Sequence, residues 1–256
     1  MNNKNIHYDF SDQVVIVTGG TSGIGKSIVE HFLRAQATVV STYAHNHQRA
    51  ESCREEFNTR YPEFKNKLLI LQSDNSQEKD VTDLFSMIEE RFGRLDVLVN
   101  NAGTRQDSAL GMMSLDQFEG VLKTNLTGTF LMCQKSLYLF LKNRYGRIIN
   151  ITSVGGRLSL AGQCNYGASK AGIESLTKTL SKEVGKKNIT VNCLSPGFIE
   201  TDFIGDLSEE QKKSYQQIIP LKRMGKVEEV SQAVLFLASG ESSYITGTTL
   251  EVGGGL

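Results

Sequence analysis

Short runs of apolar, mostly β-branched residues recur along the chain, and most are followed by a stretch with the spacing or polarity of a helix. Val14-Val15-Ile16-Val17-Thr18 is the first run, and a glycine-rich turn leads from it into a helical pattern from Ile24 to Arg34. Thr38-Val39-Val40-Ser41-Thr42 predicts a second strand, with a polar helix over about 47–59. Leu68-Leu69-Ile70-Leu71 predicts a third, then a helix to about Arg91. Leu95 to Val99, Arg147 to Ile151, Ile189 to Cys193 and Thr248 to Val252 complete the set. Strands apolar on both sides, separated by helices, imply a parallel sheet covered on both faces. The expected fold is therefore α/β: one doubly wound sheet of about seven strands with helices on both faces, spanning 1–256 as a single domain. No Pro, Gly or Ser cluster marks a hinge. The least regular stretch, 198–223, follows a strand's C-terminal end and is expected to form a lid over a ligand.

Composition narrows the partners. Lys and Arg together number 28, and so do Asp and Glu, so no overall charge favours nucleic acid or an anionic membrane. The cysteines Cys53, Cys133, Cys164 and Cys193 are widely spaced, with no metal-ligand pattern, which suits reduced thiols in a cytoplasmic protein. The first residues are polar and no segment approaches the ~20 apolar residues of a membrane span. No metal site is expected.

Thr18 to Ser27 joins the first strand to its helix and fits two phosphate-binding motifs. Glycines allow a sharp turn close to a phosphate, and the helix N-terminus offers N–H donors and the positive end of its dipole. Gly20-x4-Gly25-Lys26-Ser27 matches the loop of nucleotide triphosphatases, with Asp74 as a possible magnesium ligand. Gly19-x3-Gly23-x-Gly25 instead has the spacing of a dinucleotide loop, in which Lys26 lies on the solvent side of the helix. The loop leaves both readings open.

Chemistry further along decides between them. Asn100-Asn101-Ala102-Gly103 follows the fourth strand, Asn125 lies on the next helix, Ser153 ends the fifth strand and Pro196-Gly197 ends the sixth. Tyr166 and Lys170 stand four residues apart at a helix start, hence on one face. An ammonium beside a phenol favours the phenolate, so the pair suits proton transfer near neutral pH.

These residues, in this order, resemble the short-chain dehydrogenase/reductase family over nearly the whole chain, from about Asp12 to Gly254. The resemblance implies that Tyr166 is the general acid for carbonyl reduction and that Ser153 hydrogen-bonds the substrate oxygen. Lys170 would hold the nicotinamide ribose and lower the Tyr166 pKa, and Asn125 would anchor a proton-relaying water. It further implies cofactor contacts from Gly19, Thr21, Ser22, Gly23, Ile24 and Gly25, from Asn101, Ala102 and Gly103, and from Pro196, Gly197, Ile199 and Thr201. Asp74 and Asn75 would meet the adenine. Hydride transfer to a carbonyl leaves an alkoxide that two hydroxyl donors can stabilise while one delivers its proton.

No acid appears from Ser41 to Arg49, where NAD-preferring relatives carry one for the ribose 2′-hydroxyl. Thr42, His45 or Arg49 can instead meet a 2′-phosphate, which points to NADP(H). Ser22 departs from the Arg or Lys that many NADP-using relatives place in the loop. Within the family, the stretches Asn100 to Asp107, Tyr145 to Ile149, Gly162 to Tyr166, Ser195 to Asp202 and Tyr244 to Gly247 are most similar to reductases of 3-oxoacyl thioesters on acyl carrier protein. Fatty-acid or polyketide synthesis is then the expected setting. Arg144 and Lys187 fall where such reductases place basic residues beside the cleft for the acidic carrier. A dehydrogenase of free small alcohols, sugars or ring ketones is the alternative, and a nucleotide sensor without turnover is a third reading. The resemblance also implies a homotetramer.

Overall fold

The computed structural model describes residues 7–158, 160–201 and 209–256. Its strands are β1 (Val14–Thr18), β2 (Thr38–Tyr43), β3 (Leu68–Gln72), β4 (Val97–Asn100), β5 (Gly146–Ile151), β6 (Ile189–Pro196) and β7 (Thr249–Val252). All pair in parallel into one seven-stranded sheet of order β3-β2-β1-β4-β5-β6-β7. The helices are α1 (Gly23–Arg34), α2 (His47–Arg60), α3 (Glu78–Phe92), α4 (Leu115–Leu122), α5 (Gly128–Asn143), α6 (Gly155–Leu158), α7 (Cys164–Val184), α8 (Glu209–Ile218) and α9 (Val227–Ala238). The strands lie where the apolar runs predicted them. The largest differences are that β4 begins at Val97 rather than Leu95 and that β6 continues to Pro196.

Strand pleating sends successive side chains to opposite faces, so each apolar run feeds two cores. Val15 and Val17 face one side, with Val39, Val97 and Val99 from the neighbouring strands. They pack under Ile28, Val29, Phe32 and Leu33 of α1 and Val230 and Val234 of α9. Val14 and Ile16 face the other side with Val40 and Leu98, beneath Leu84 and Ile88 of α3 and Leu139 and Phe140 of α5. Burying one such side chain contributes roughly 1.5–3 kcal/mol, which explains why the strands carry no polar alternation.

Three features position the site. The strand order reverses between β1 and β4, and ligands in open α/β sheets bind beyond the C-terminal strand ends at that point. Between α4 and α5 the chain makes a π-helical turn over Lys123–Thr127, a form frequent at functional sites, and Asn125 sits within it fully buried. The expected lid falls partly on 202–208, which lie outside the described residues; α8 belongs to its remainder, and Tyr215 of α8 stacks on Phe198 at 4.2 Å. Among the described residues, no helix is long and apolar enough to cross a membrane.

Candidate active site

A cleft of about 970 Å³ opens along the C-terminal ends of β1 to β6. It is floored at the switch point by the loop after β1. Gly19 and Gly23 take left-handed backbone angles, φ +63° and +50°, which only glycine adopts without strain. A Cβ on Gly25 would overlap the Gly19 carbonyl and crowd the Asn101 side chain. The loop is braced from β4: Thr18 Oγ1 accepts from the amides of Asn101 and Ala102, both at 3.0 Å. Asn101 Nδ2 donates to the carbonyls of Thr18 (2.9 Å) and Gly19 (3.1 Å). Ser22 precedes α1 in extended backbone without a side-chain cap bond, and the first turn of α1 carries no acid. Uncapped N–H groups and a positive dipole end beside the cleft fit a diphosphate. Gly25→Ala is therefore expected to weaken binding of a reduced nicotinamide dinucleotide more than ~10-fold, or over ~1.4 kcal/mol, by fluorescence titration. Unchanged affinity would remove the loop as the phosphate cradle.

The second motif in the same stretch fares differently. Lys26 Nζ donates to Glu56 Oε2 at 2.5 Å and does not line the cleft, so the lysine a triphosphatase would aim at phosphates is held by α2.

Ser153, Tyr166 and Lys170 meet just beyond β5. Ser153 Oγ accepts from the Gly155 amide at 3.0 Å, and it lies in the same cleft lining as the Tyr166 phenol, close enough to lower that phenol's pKa. Lys170, one turn along α7, donates to the Ile151 carbonyl at 2.9 Å, with Nζ 5.5 Å from the Tyr166 ring centre. Both side chains are buried. Burial pulls the Lys170 pKa down to about 8. Burial also raises the Tyr166 phenol above its ordinary 10, against smaller lowering effects from Ser153 and the Arg105 charge. An ammonium discharged near 8 is no longer charged where such a phenol ionises. In this pocket desolvation dominates and raises the phenol, and the groups that lower it are Ser153 and Arg105.

Asn125 stands behind the cleft rather than in it. Its Oδ1 accepts from the Thr104 amide (2.8 Å), and its Nδ2 donates to the Thr104 carbonyl (2.9 Å) and Ser169 Oγ (3.0 Å). Those bonds make Asn125 a brace between the loop after β4 and α7. Gly103 lies between it and Lys170, where a Cβ would stand 3.3 Å from Asn125 Oδ1 and 3.6 Å from Lys170 Nζ.

The other residues expected at a cofactor line this one cleft: Thr21, Ile24, Thr42, His45, Asp74, Asn75, Pro196, Gly197, Ile199 and Thr201 together with the loop glycines and Ala102. Around Thr42 the lining continues through Tyr43, Ala44, Asn46 and Arg49. Asp74 is the acid in this part of the lining, with Oδ2 3.9 Å from His45 Nε2 and Oδ1 accepting from the Ser76 amide. Glu51 does not line it; its carboxylate pairs with Arg54 at 2.5 Å. Beyond Tyr166 the wall is made by Arg105, Gln106, Leu160, Gln163 and Phe198. Arg105, Gln106 and Phe198 fall in the stretches 105–113 and 198–223 from which substrate choice is expected, but no motif names these wall residues individually, because each is placed by contacts between loops and not by a local pattern.

Arg144 and Lys187 correct an expectation. They precede β5 and β6, at the amino-terminal edge of the sheet, where Asn188 Nδ2 donates to the Arg144 carbonyl at 3.4 Å. A strand of this length spans roughly 20 Å, so they stand across the sheet from this chain's own cleft, not beside it.

Comparison with known proteins agrees with this geometry. A family model described as enoyl-(acyl carrier protein) reductase matches residues 19–256. The chain is similar to the 3-oxoacyl-[acyl-carrier-protein] reductase FabG of Aquifex aeolicus, 44% identical over 245 residues covering 95% of this chain and 97% of that one. The protein of the same name from Chlamydia pneumoniae is 41% identical over 242 residues, covering 94% and 96%. That from Haemophilus influenzae is 40% identical over 244 residues, covering 95% and 98%.

Proposed function

The chain belongs to the short-chain dehydrogenase/reductase family, and we propose that this oxidoreductase uses NADPH to reduce a 3-oxoacyl thioester, carried on acyl carrier protein or coenzyme A, to the 3-hydroxyacyl form. The observation that carries the reading is that Ser153, Tyr166 and Lys170, the last one helical turn from Tyr166, line one cleft continuous with the glycine loop.

When bound, the nicotinamide cofactor supplies the hydride. The glycine loop and the start of α1 hold its diphosphate, Asp74 and Asn75 its adenine, and Tyr166 and Lys170 its nicotinamide ribose. Pro196, Gly197, Ile199 and Thr201 bound the nicotinamide end. Thr42, His45 and Arg49 favour a 2′-phosphate, since the acid on α2 nearest them faces Arg54. Ser153 Oγ and Tyr166 Oη orient the substrate carbonyl, and Tyr166 Oη delivers its proton to the oxygen that becomes the alcohol. The raised phenol pKa keeps that proton in place at neutral pH. As carrier-protein contacts, Arg144 and Lys187 would serve the cleft of a neighbouring subunit, which fits a homotetramer.

The test is NADPH oxidation with an acetoacetyl thioester, run beside free ketones, sugars, an enoyl thioester and ATP hydrolysis. Turnover of the 3-oxo thioester, with initial rates at least ~10-fold higher with NADPH than with NADH, is expected; that ratio corresponds to about 1.4 kcal/mol. Turnover of ketones or of the enoyl thioester without the 3-oxo thioester would replace the substrate assignment, and NADH preference would replace the cofactor assignment.

A further inference from the structure

Asn165 immediately precedes Tyr166, and its side chain is fully buried. Its Oδ1 accepts from the Tyr166 amide at 2.7 Å. That amide lies in the first turn of α7, where N–H groups lack partners within the helix, and the residue before the helix, Gln163, makes no side-chain cap bond. The other end of the same side chain reaches two separate elements. Asn165 Nδ2 donates to the Gln106 carbonyl at 2.9 Å, in the loop after β4, and to the Gln117 carbonyl at 3.2 Å, in α4.

Those three bonds join the start of the helix that carries Tyr166 to α4 and to the loop after β4, whose Arg105 and Gln106 line the same cleft. The loop is held at neighbouring points as well. Asn125 clamps both backbone groups of Thr104, and the Ser108 amide donates to the Gly162 carbonyl at 2.9 Å. Gln163 Nε2 donates to Asp107 Oδ2 at 3.0 Å. Of these links, the Asn165 side chain bonds Tyr166 directly, whereas Asn125 reaches it through Ser169 Oγ, which donates to the Tyr166 carbonyl at 2.7 Å. A buried amide with both donors and its acceptor engaged has one orientation available, so it ties loop position to the Tyr166 backbone with little play.

We propose that Asn165 is a positioning residue for the reaction. It fixes the height of Tyr166 against the Gln106 wall, so that the phenol meets a carbonyl lying between them. The inference rests on the proposed role of Tyr166 as proton donor. It separates the two ends of the Asn165 side chain: the acceptor satisfies the helix start, whereas the donors set the distance across the cleft.

Two variants and a control test it, each assayed for kcat and KM with the acetoacetyl thioester and for NADPH affinity by fluorescence titration. Asn165→Ala removes both ends of the link, and Asn165→Asp keeps the acceptor while removing the donors. Both are expected to lose about 100-fold in kcat, the effect of roughly 1 Å of misplacement, with NADPH affinity within about 3-fold of wild type. Near-normal kcat in Asn165→Ala would overturn the proposal. So would near-normal kcat in Asn165→Asp, which would leave only a helix cap. A parallel fall in kcat and NADPH affinity in both variants would also overturn it, as the mark of general loosening. If Asn165→Ala does not fold, Asn165→Asp decides by the same split. Tyr166→Phe runs alongside. Should it stay active, the proton-donor reading fails; should it be inactive while the Asn165 variants are normal, only the positioning role fails.

Discussion

Tyr166→Phe is expected to abolish thioester reduction, by at least the ~10²–10⁴-fold that a positioned general acid contributes, while NADPH still binds. The substitution removes one oxygen and keeps the ring that packs at the start of α7. What it deletes is the proton donor beside the Ser153 hydroxyl. Ser153 then remains as a single hydrogen-bond donor to the developing alkoxide and cannot replace the lost proton at neutral pH, because a hydroxyl side chain is a far weaker acid than a phenol. Single-turnover measurement of NADPH oxidation is the check, with fluorescence titration for the cofactor. Near-normal turnover would remove Tyr166 from its role, whatever the fate of the cofactor site.

Lys170→Met is expected to lose both activity and cofactor affinity, and to alter the pH dependence of stability. The native ammonium is buried, is held by the Ile151 carbonyl and titrates near 8 instead of 10.5. Between about 8 and 10.5 the unfolded chain therefore carries a proton on this residue that the folded chain has shed. Stability rises with pH wherever the unfolded state binds more protons, so Lys170 contributes a rising slope across that window. Methionine has no such slope. Wild-type Tm minus variant Tm should grow as pH rises from about 8 to 10.5, and the raised thiol of Cys53, which does not sense Lys170, cancels in the difference. Activity moves the opposite way. With the charged lysine as the form proposed to bind the cofactor, kcat/KM for NADPH should fall as pH rises through about 8. A stability difference flat in pH, with a flat kcat/KM profile, would mean that Lys170 is not a buried cation in the free enzyme.

Legibility from the residues differed from one part of the molecule to another. β1 was readable because Val14 to Thr18 is apolar at every position, and a strand covered on both faces needs nothing more. The glycine loop was readable because left-handed backbone at Gly19 and Gly23 restricts the residue type. Ser153, Tyr166 and Lys170 were readable because a helical turn brings positions four apart together and a strand end delivers the serine. Asn165 carried a signal that was not used: a buried asparagine at a helix start beside the reactive residue has to satisfy three polar groups somewhere.

Local sequence determined the order of elements, the glycine turn after β1 and the placement of Tyr166 and Lys170 on one helical face, because backbone conformation and helical spacing depend on near neighbours. Tertiary structure decided where side chains point and how much water they keep. Lys26 is drawn from the cleft by Glu56, thirty residues along. Arg144 and Lys187 are carried to the far edge of the sheet by the direction of β5 and β6. Tyr166 keeps its proton because the assembled walls desolvate it more than nearby positive charge favours its anion. Each of these results depends on groups distant in the chain, and only folding brings them within range.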